Sequence, residues 1–406
     1  VKIAYVSPVG VLGGAENCLL NVMASVKNAR PQAQLHLVAS SDGPLLQRAR
    51  ELGVSVHLVP MPQCMTELGD SVLHRREGMA ARAKMALRLI AALPQTALYI
   101  LKLRRALKAI APDVVHSNGL KSHLLTAVAY GPRTRLFWHL HDFIGARPAM
   151  GRALRWASPR AAGAIAISAA VARDAQHVLG GFPITVVYNA IDISHFTPGE
   201  GNGPRLDQLA KLPTADAGTL RIGLVATFAR WKGHHLLLDA AAEFFRRWPT
   251  APARFYVIGG PIYHTHGSQV SELDLRRRAD QLGLNSHVGF IGFQRDTRSI
   301  YRDLDIVVHS STQPEPFGLT IVEAMACARP VIVSQAGGAA ELFTSGVDAL
   351  GVPPADVKEL AKAIHQLVSD ADLRWQLSQQ AVQTAQARFC HERLGGEILD
   401  VYYRLK

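Results

Sequence analysis

The chain has 406 residues, 48% of them hydrophobic and 19% charged, with no low-complexity tract and no repeat of solenoid period, which excludes disordered and repeat architectures. That length exceeds one ordinary core and suits two domains of about 150–200 residues each. The net charge of +12 is one-sided: residues 1–195 hold 22 Lys/Arg and 10 Asp/Glu, and residues 196–406 hold 22 of each, so the first half attracts phosphates, anionic lipid or nucleic acid.

The first strand is "KIAYVS", residues 2–7. Its apolar run is strand-length and stops at Pro8, so it offers no secretory h-region. A glycine-rich loop, residues 8–14, leads to a helix beginning near Ala15. Without side chains, Gly13 and Gly14 let their N–H groups approach a phosphate at the helix start. The loop is neither GxGxxG nor a GK[ST] phosphate loop, and a tight turn uses the same residues. Residues 34–40 and 54–60 read as further strands.

Residues 72–110 carry nine Lys/Arg and a single acid, Glu77, among apolar residues at helical spacing. They suit ordinary surface helices, or an interfacial helix at an anionic membrane. The most apolar part, residues 85–101, contains Arg88 and Pro94, whereas a span needs about 20 nearly uncharged residues. With no span and no secretory signal, the expected location is the cytoplasm, with peripheral membrane contact at most.

Strands follow at residues 113–118, 135–142 and 163–168, with helical patterns between most of them. Short, nearly continuous apolar strands alternating with helices indicate a parallel sheet covered on both faces. Residues 196–218, dense in Pro, Gly and Asp, read as a linker or surface excursion. The alternation restarts at "LRIGLVATF" and continues through "ARFYVIGG", "HVGFIG", "DIVVHS" and "PVIVS". The expected fold class is α/β: two doubly wound, Rossmann-like domains facing across a cleft, with ligands at the carboxyl ends of the strands.

Two stretches of the second half suit an anionic sugar ligand. "RWKGHH" sets Arg230 and Lys232 at the carboxyl end of a strand, where two cations fit a diphosphate. In "EPFGLTIVEAMACARPVIVS", Phe317, Gly318 and Leu319 should turn into a helix running to about Cys327. The N–H groups of that first turn form a second cradle. Glu315, just before the helix, can accept from sugar hydroxyls, and Glu323 can accept from a diol such as that of a ribose. The pairs His139/His141 and His264/His266 have no acid or cysteine at zinc spacing, so no metal is expected. The scattered Cys18, Cys64, Cys327 and Cys390 form neither a zinc knuckle nor a disulfide framework. Nucleic acid is disfavoured as a partner, because the basic excess lacks interleaved aromatics and no reader motif is present.

"EPFGLTIVE" resembles the E-x7-E signature of retaining glycosyltransferases of GT-B fold, specifically the large family 4 (group 1). "GGAE", "HLHDF", "VVYNAIDISHF", "WKGHHLLLDA" and "VIVSQAGGAAEL" resemble further motifs of that family, in its order and over nearly the whole chain. The resemblance implies transfer of a sugar from a UDP- or GDP-linked donor to a carbohydrate or lipid-linked acceptor, with no cofactor and no metal. It implies residues 1–195 as the acceptor domain and 196–384 as the donor domain, with a closing helix near 385–406 packing back on the first. Carried over, Glu315 meets the donor sugar, Glu323 the ribose, and His141 the region of the reacting carbon. Gly13 and Gly14 approach the diphosphate, and Arg230 and Lys232 neutralise it. One departure stands out: in "ATFARWKG", Thr227 occupies the place where the family commonly has an Arg, and Arg230 is the nearest substitute. The alternatives are a nucleotide-sugar 2-epimerase of the same architecture, which needs no acceptor, and a non-catalytic relative.

Overall fold

The structure, a computed structural model, describes residues 1–66, 79–130, 135–261 and 269–404. The chain forms two compact units, Val1–Ala190 with His391–Lys406, and Ile191–Cys390. The expected pair of parallel-sheet α/β domains is therefore present, and the final helix, His391–Arg404, belongs to the first unit.

Among the described residues the first unit has seven parallel strands. They are β1 (Lys2–Ser7), β2 (Gln34–Ala39), β3 (Ser55–Leu58), β4 (Val114–Asn118), β5 (Arg135–Leu140), β6 (Gly163–Ala166) and β7 (Ile184–Val186), ordered β3-β2-β1-β4-β5-β6-β7. β1 pairs in parallel with β2 on one side and β4 on the other. The central strands β1, β4 and β5 are buried along nearly their whole length because helices cover both faces of such a sheet. Ile3, Tyr5, Phe137 and Ile165 are fully buried in one cluster with Tyr402 of the last helix.

The second unit repeats the plan with β8 (Leu220–Val225), β9 (Ala253–Ile258), β10 (Val288–Ile291), β11 (Ile306–His309), β12 (Val331–Ser334) and β13 (Leu350–Val352), ordered β10-β9-β8-β11-β12-β13. In each unit the order reverses beside the first strand, between β1 and β4 and between β8 and β11. The carboxyl ends of those strands are where open α/β sheets bind ligands.

Residues 196–218, expected as a linker or a surface excursion, are part of the second unit. They carry a helix, Gly203–Leu209, whose Leu206 and Asp207 are fully buried in the second unit. Asp207 accepts from Arg221 Nη2 at 3.0 Å, from Arg254 Nη1 at 2.7 Å and from the Tyr256 hydroxyl. Burial alone would raise its pKa, yet these three donors outweigh it and hold the carboxyl at about 2.

The basic region contains one 32-residue helix, Met79–Ile110, with Pro94 inside it; residues 72–78 lie outside the described residues. It exposes Leu93, Leu98 and Leu101 together with Lys102, Arg104, Arg105 and Lys108. Among the described residues no helix is long and apolar enough to cross a membrane.

Candidate active site

In the second unit, a turn of 3-10 helix, Arg230–Lys232, follows β8. Gly233 closes it with φ 77°, and a Cβ there would stand 1.8 Å from the Ser310 carbonyl oxygen beyond β11, so only glycine brings these two strand ends together. Lys232 Nζ lies 4.1 Å from the centre of the Trp231 ring and 2.6 Å from Glu315 Oε2. Arg230 is exposed.

Glu315 is buried, 6% exposed, and its backbone is pinned on both sides. Its N–H donates to the Ala336 carbonyl at 3.2 Å, and its own carbonyl accepts from Gly338 N–H at 2.7 Å. Between these bonds Gly337 takes φ 70°, and a Cβ would meet the Glu315 carbonyl oxygen at 2.5 Å. Besides Lys232, Oε2 of Glu315 has Ser311 Oγ at 3.0 Å and His309 Nε2 at 3.2 Å. Burial is the largest single influence on this carboxyl and raises its pKa. Lys232 and then His309 overcome it, and the group titrates at about 2, so it is a carboxylate at neutral pH.

Gly318 caps the Leu319–Ala326 helix, whose first N–H groups have no partner within the helix. Phe317 is buried, with its ring edge-to-face on Phe389 at 5.9 Å, so the turn is anchored by its aromatic side chain. Glu323, one turn further, pairs with the Tyr301 hydroxyl at 2.8 Å. Burial pushes its carboxyl up to about 7 against that hydrogen bond.

In the first unit the glycine loop after β1 ends at Gly13, whose N–H donates to the buried Glu16 Oε2 at 3.1 Å, an acid three residues on in the manner of a capping box. Gly14 begins the Gly14–Ala29 helix, and a Cβ there would meet nothing within 4 Å. His141 lies just past β5; its Nε2 is 2.6 Å from Oδ1 of the buried Asn118, the last residue of β4. Behind it runs a buried chain: the His141 and His139 rings are 4.1 Å apart, His139 Nδ1 is 3.1 Å from His116 Nε2, and His116 Nδ1 is 2.6 Å from the Tyr402 hydroxyl. Burial pushes His116 down to about 3 and His141 to about 4, so both are neutral at physiological pH.

Lys232 and Glu315 thus meet directly, and Phe317, Gly318 and Leu319 share one turn. Glu323 has its own partner, and Gly13, Gly14 and His141 belong to the other unit. Sequence reading did not single out Asn118, His309, Ser311 or Tyr301, which hold the predicted groups. Nor did it single out Glu16 of "GGAE", although a place three residues after Gly13 is the spacing of a helix cap. Among the described residues no three His, Cys, Asp or Glu side chains group as metal ligands, and the His264/His266 pair lies outside those residues.

The family described as Glycosyl transferases group 1 matches residues 212–384, and Glycosyltransferase Family 4 matches residues 13–195. A D-inositol 3-phosphate glycosyltransferase of Corynebacterium urealyticum is 33% identical over 225 residues, 55% of this chain and 51% of that protein. The lipopolysaccharide core biosynthesis glycosyltransferase LpsE of Rhizobium meliloti is 31% identical over 214 residues, 52% of this chain and 56% of that protein. The chain therefore matches about half the length of these curated relatives. Among solved structures, Anabaena HepE in complex with UDP and glucose is similar over 99% of both chains, with 25% identity and a TM-score of 0.77. Sucrose-phosphate synthase of Thermosynechococcus elongatus shares the fold at 18% identity, covering 100% of this chain and 98% of that one with a TM-score of 0.75.

Proposed function

The chain belongs to the family 4, group 1 glycosyltransferases of GT-B fold, and from that premise we propose that it transfers a sugar from a nucleotide-diphosphate-sugar to an acceptor, with retention of configuration and without a metal. The observation that carries this reading is the buried Glu315 carboxylate joined to Lys232 at the carboxyl ends of β8 and β11. An ionised acid there accepts from sugar hydroxyls, while the lysine beside it neutralises the leaving diphosphate. Arg230 adds a second cation in the place left by Thr227. The N–H of Gly14 and those of the Phe317–Leu319 turn cradle phosphate oxygens, while the Gly13 N–H is given to Glu16 and fixes the loop. Glu323 takes the ribose diol, and His141 stands by the sugar near the reacting carbon. The leaving phosphate accepts the proton of the attacking hydroxyl on the same face, through an oxocarbenium-like state.

UDP is the favoured nucleotide, because the similar Anabaena protein binds UDP with glucose. The acceptor is anionic or lipid-linked and is handled at the cytoplasmic membrane face by the basic first domain. One relative is named for D-inositol 3-phosphate, a phosphorylated polyol, and another for lipopolysaccharide core biosynthesis.

A thermal-shift screen of UDP- and GDP-sugars tests the donor: a ligand at about 100 times its Kd stabilises by roughly 2.7 kcal/mol. Turnover of the selected donor is then compared in Glu315→Gln, which keeps the size and loses the charge. A screen without any shift, or a folded Glu315→Gln with near-normal turnover, defeats the proposal.

A further inference from the structure

We propose that Asn118 is a positioning residue that sets the tautomer of His141, keeping the hydrogen on Nε2 and leaving Nδ1 as an acceptor for a hydroxyl of the bound sugar. The clause about the sugar rests on the proposed placement of His141 in the donor site; the tautomer stands on the hydrogen bonds of Asn118 alone. Asn118 is fully buried at the end of β4. Its Nδ2 faces the Ala15 carbonyl oxygen at 3.4 Å, and its Oδ1 faces His141 Nε2 at 2.6 Å. A carbonyl oxygen only accepts, so the amide nitrogen must be the atom turned toward Ala15; the flipped amide sets two acceptors against each other. The amide oxygen then faces the imidazole, and it too only accepts. The hydrogen between them therefore belongs to His141 Nε2.

In a neutral ring that assignment leaves Nδ1 with a bare lone pair. Nδ1 is buried and has no partner among the described residues. Burial keeps the ring neutral, and Asp142 beside it favours the charged form without overcoming that burial. An unpaired buried acceptor is unfavourable until a donor arrives, and a sugar hydroxyl supplies one. Because Ala15 lies in the first turn after Gly13 and Gly14, one amide ties the glycine loop to the histidine.

The test uses the full chain labelled with 15N-histidine and needs no ligand for its first arm. At pH 7.5 the NMR shifts of His141 should report a protonated Nε2 and a bare Nδ1. In Asn118→Asp the carboxylate should raise the His141 pKa, with both nitrogens protonated by about pH 7. In Asn118→Ser, the milder change should Asp be too disruptive to fold, the two tautomers should mix. A wild-type ring protonated on Nδ1, or a tautomer unmoved in a folded Asn118 variant, overturns the inference. The second arm measures UDP and UDP-glucose by calorimetry in Asn118→Ser. UDP-glucose should weaken about three- to tenfold and UDP by less than about twofold. A shifted tautomer with an unchanged ratio of the two affinities upholds the role of Asn118 and overturns the sugar contact, and with it the proposed placement of His141.

Discussion

Glu315 stays ionised in a buried setting because cations and donors converge on one of its oxygens. Lys232 is the largest of these influences, at 2.6 Å. In Lys232→Ala, burial acts with only His309 and Ser311 against it, and the carboxyl moves up from about 2 toward or beyond the ordinary 4.5. A depressed acid is ionised above its pKa, so the wild-type enzyme keeps the carboxylate down to about pH 2. The variant should lose it at higher pH, which shifts the acid limb of kcat/KM upward. If Lys232 also serves the diphosphate, UDP and UDP-glucose should weaken together, by about tenfold or more. Unchanged affinity for UDP removes the lysine from the diphosphate. Glu315 and Lys232 were legible because each stands in a short motif with composition unlike its surroundings. His309 and Ser311 were not: they sit six and four residues before Glu315 at the end of an apolar strand, and only the fold-back of the loop turns them onto its carboxylate.

The same contrast runs through the elements. Parallel strands buried on both faces read as continuous apolar runs, so most of both sheets was visible in sequence, whereas β7 and β13, three residues each, are too short to show any period. The Gly203–Leu209 helix was hidden by its surroundings: Pro, Gly and Asp give the composition of a loop, and nothing local distinguishes Asp207 from a solvated acid. Asp207→Ala should strand the guanidinium groups of Arg221 and Arg254, at a cost of about 3–5 kcal/mol read from the urea midpoint. A loss below about 1 kcal/mol would mean the segment acts as the loose linker its composition suggests. Gly14 offers the opposite case. No atom of the protein occupies the space of its missing Cβ, and alanine is favoured over glycine in a helix by roughly 0.5–1 kcal/mol. Gly14→Ala should therefore hold or raise the Tm, yet weaken UDP-glucose at least about tenfold if a phosphate fills that space. Normal affinity in this variant takes the loop out of the donor site.

Charge is the property of the whole molecule that the sequence displays most openly, and the first unit handles it in two ways. Inside, His116, His123, His139 and His141 are held neutral, with pKa values lowered chiefly by burial. For such groups the unfolded chain binds more protons below about pH 6.5, so their stabilisation is present above that value and is lost as pH falls toward about 4 and 3. Urea midpoints should decline between pH 6.5 and 4.5, by up to about 1.4 kcal/mol per pH unit for each histidine involved; a flat profile would contradict neutral burial. Outside, residues 1–195 carry the entire +12, while residues 196–406 carry none. The Met79–Ile110 helix sets exposed Leu93, Leu98 and Leu101 beside Lys102, Arg104, Arg105 and Lys108. Leucines next to lysines and arginines suit the boundary of an anionic bilayer, where each nearby cation contributes about 1 kcal/mol. An uncharged acceptor in solution gives no reason for an asymmetry confined to one half of the chain. Sedimentation with vesicles should therefore show binding to anionic but not neutral lipid at low salt. Raising the salt should release the protein, since exposed charges are screened beyond about 8 Å at physiological ionic strength. Replacing Leu98 and Leu101 by Ser should weaken binding without changing its salt slope, because the leucines supply apolar area and the cations supply the charge. Equal and negligible binding to both kinds of vesicle removes the membrane from the proposal and leaves the helix as a solvated surface. The proposed donor chemistry survives that result, because the proposal rests on Glu315 and Lys232 in the other unit.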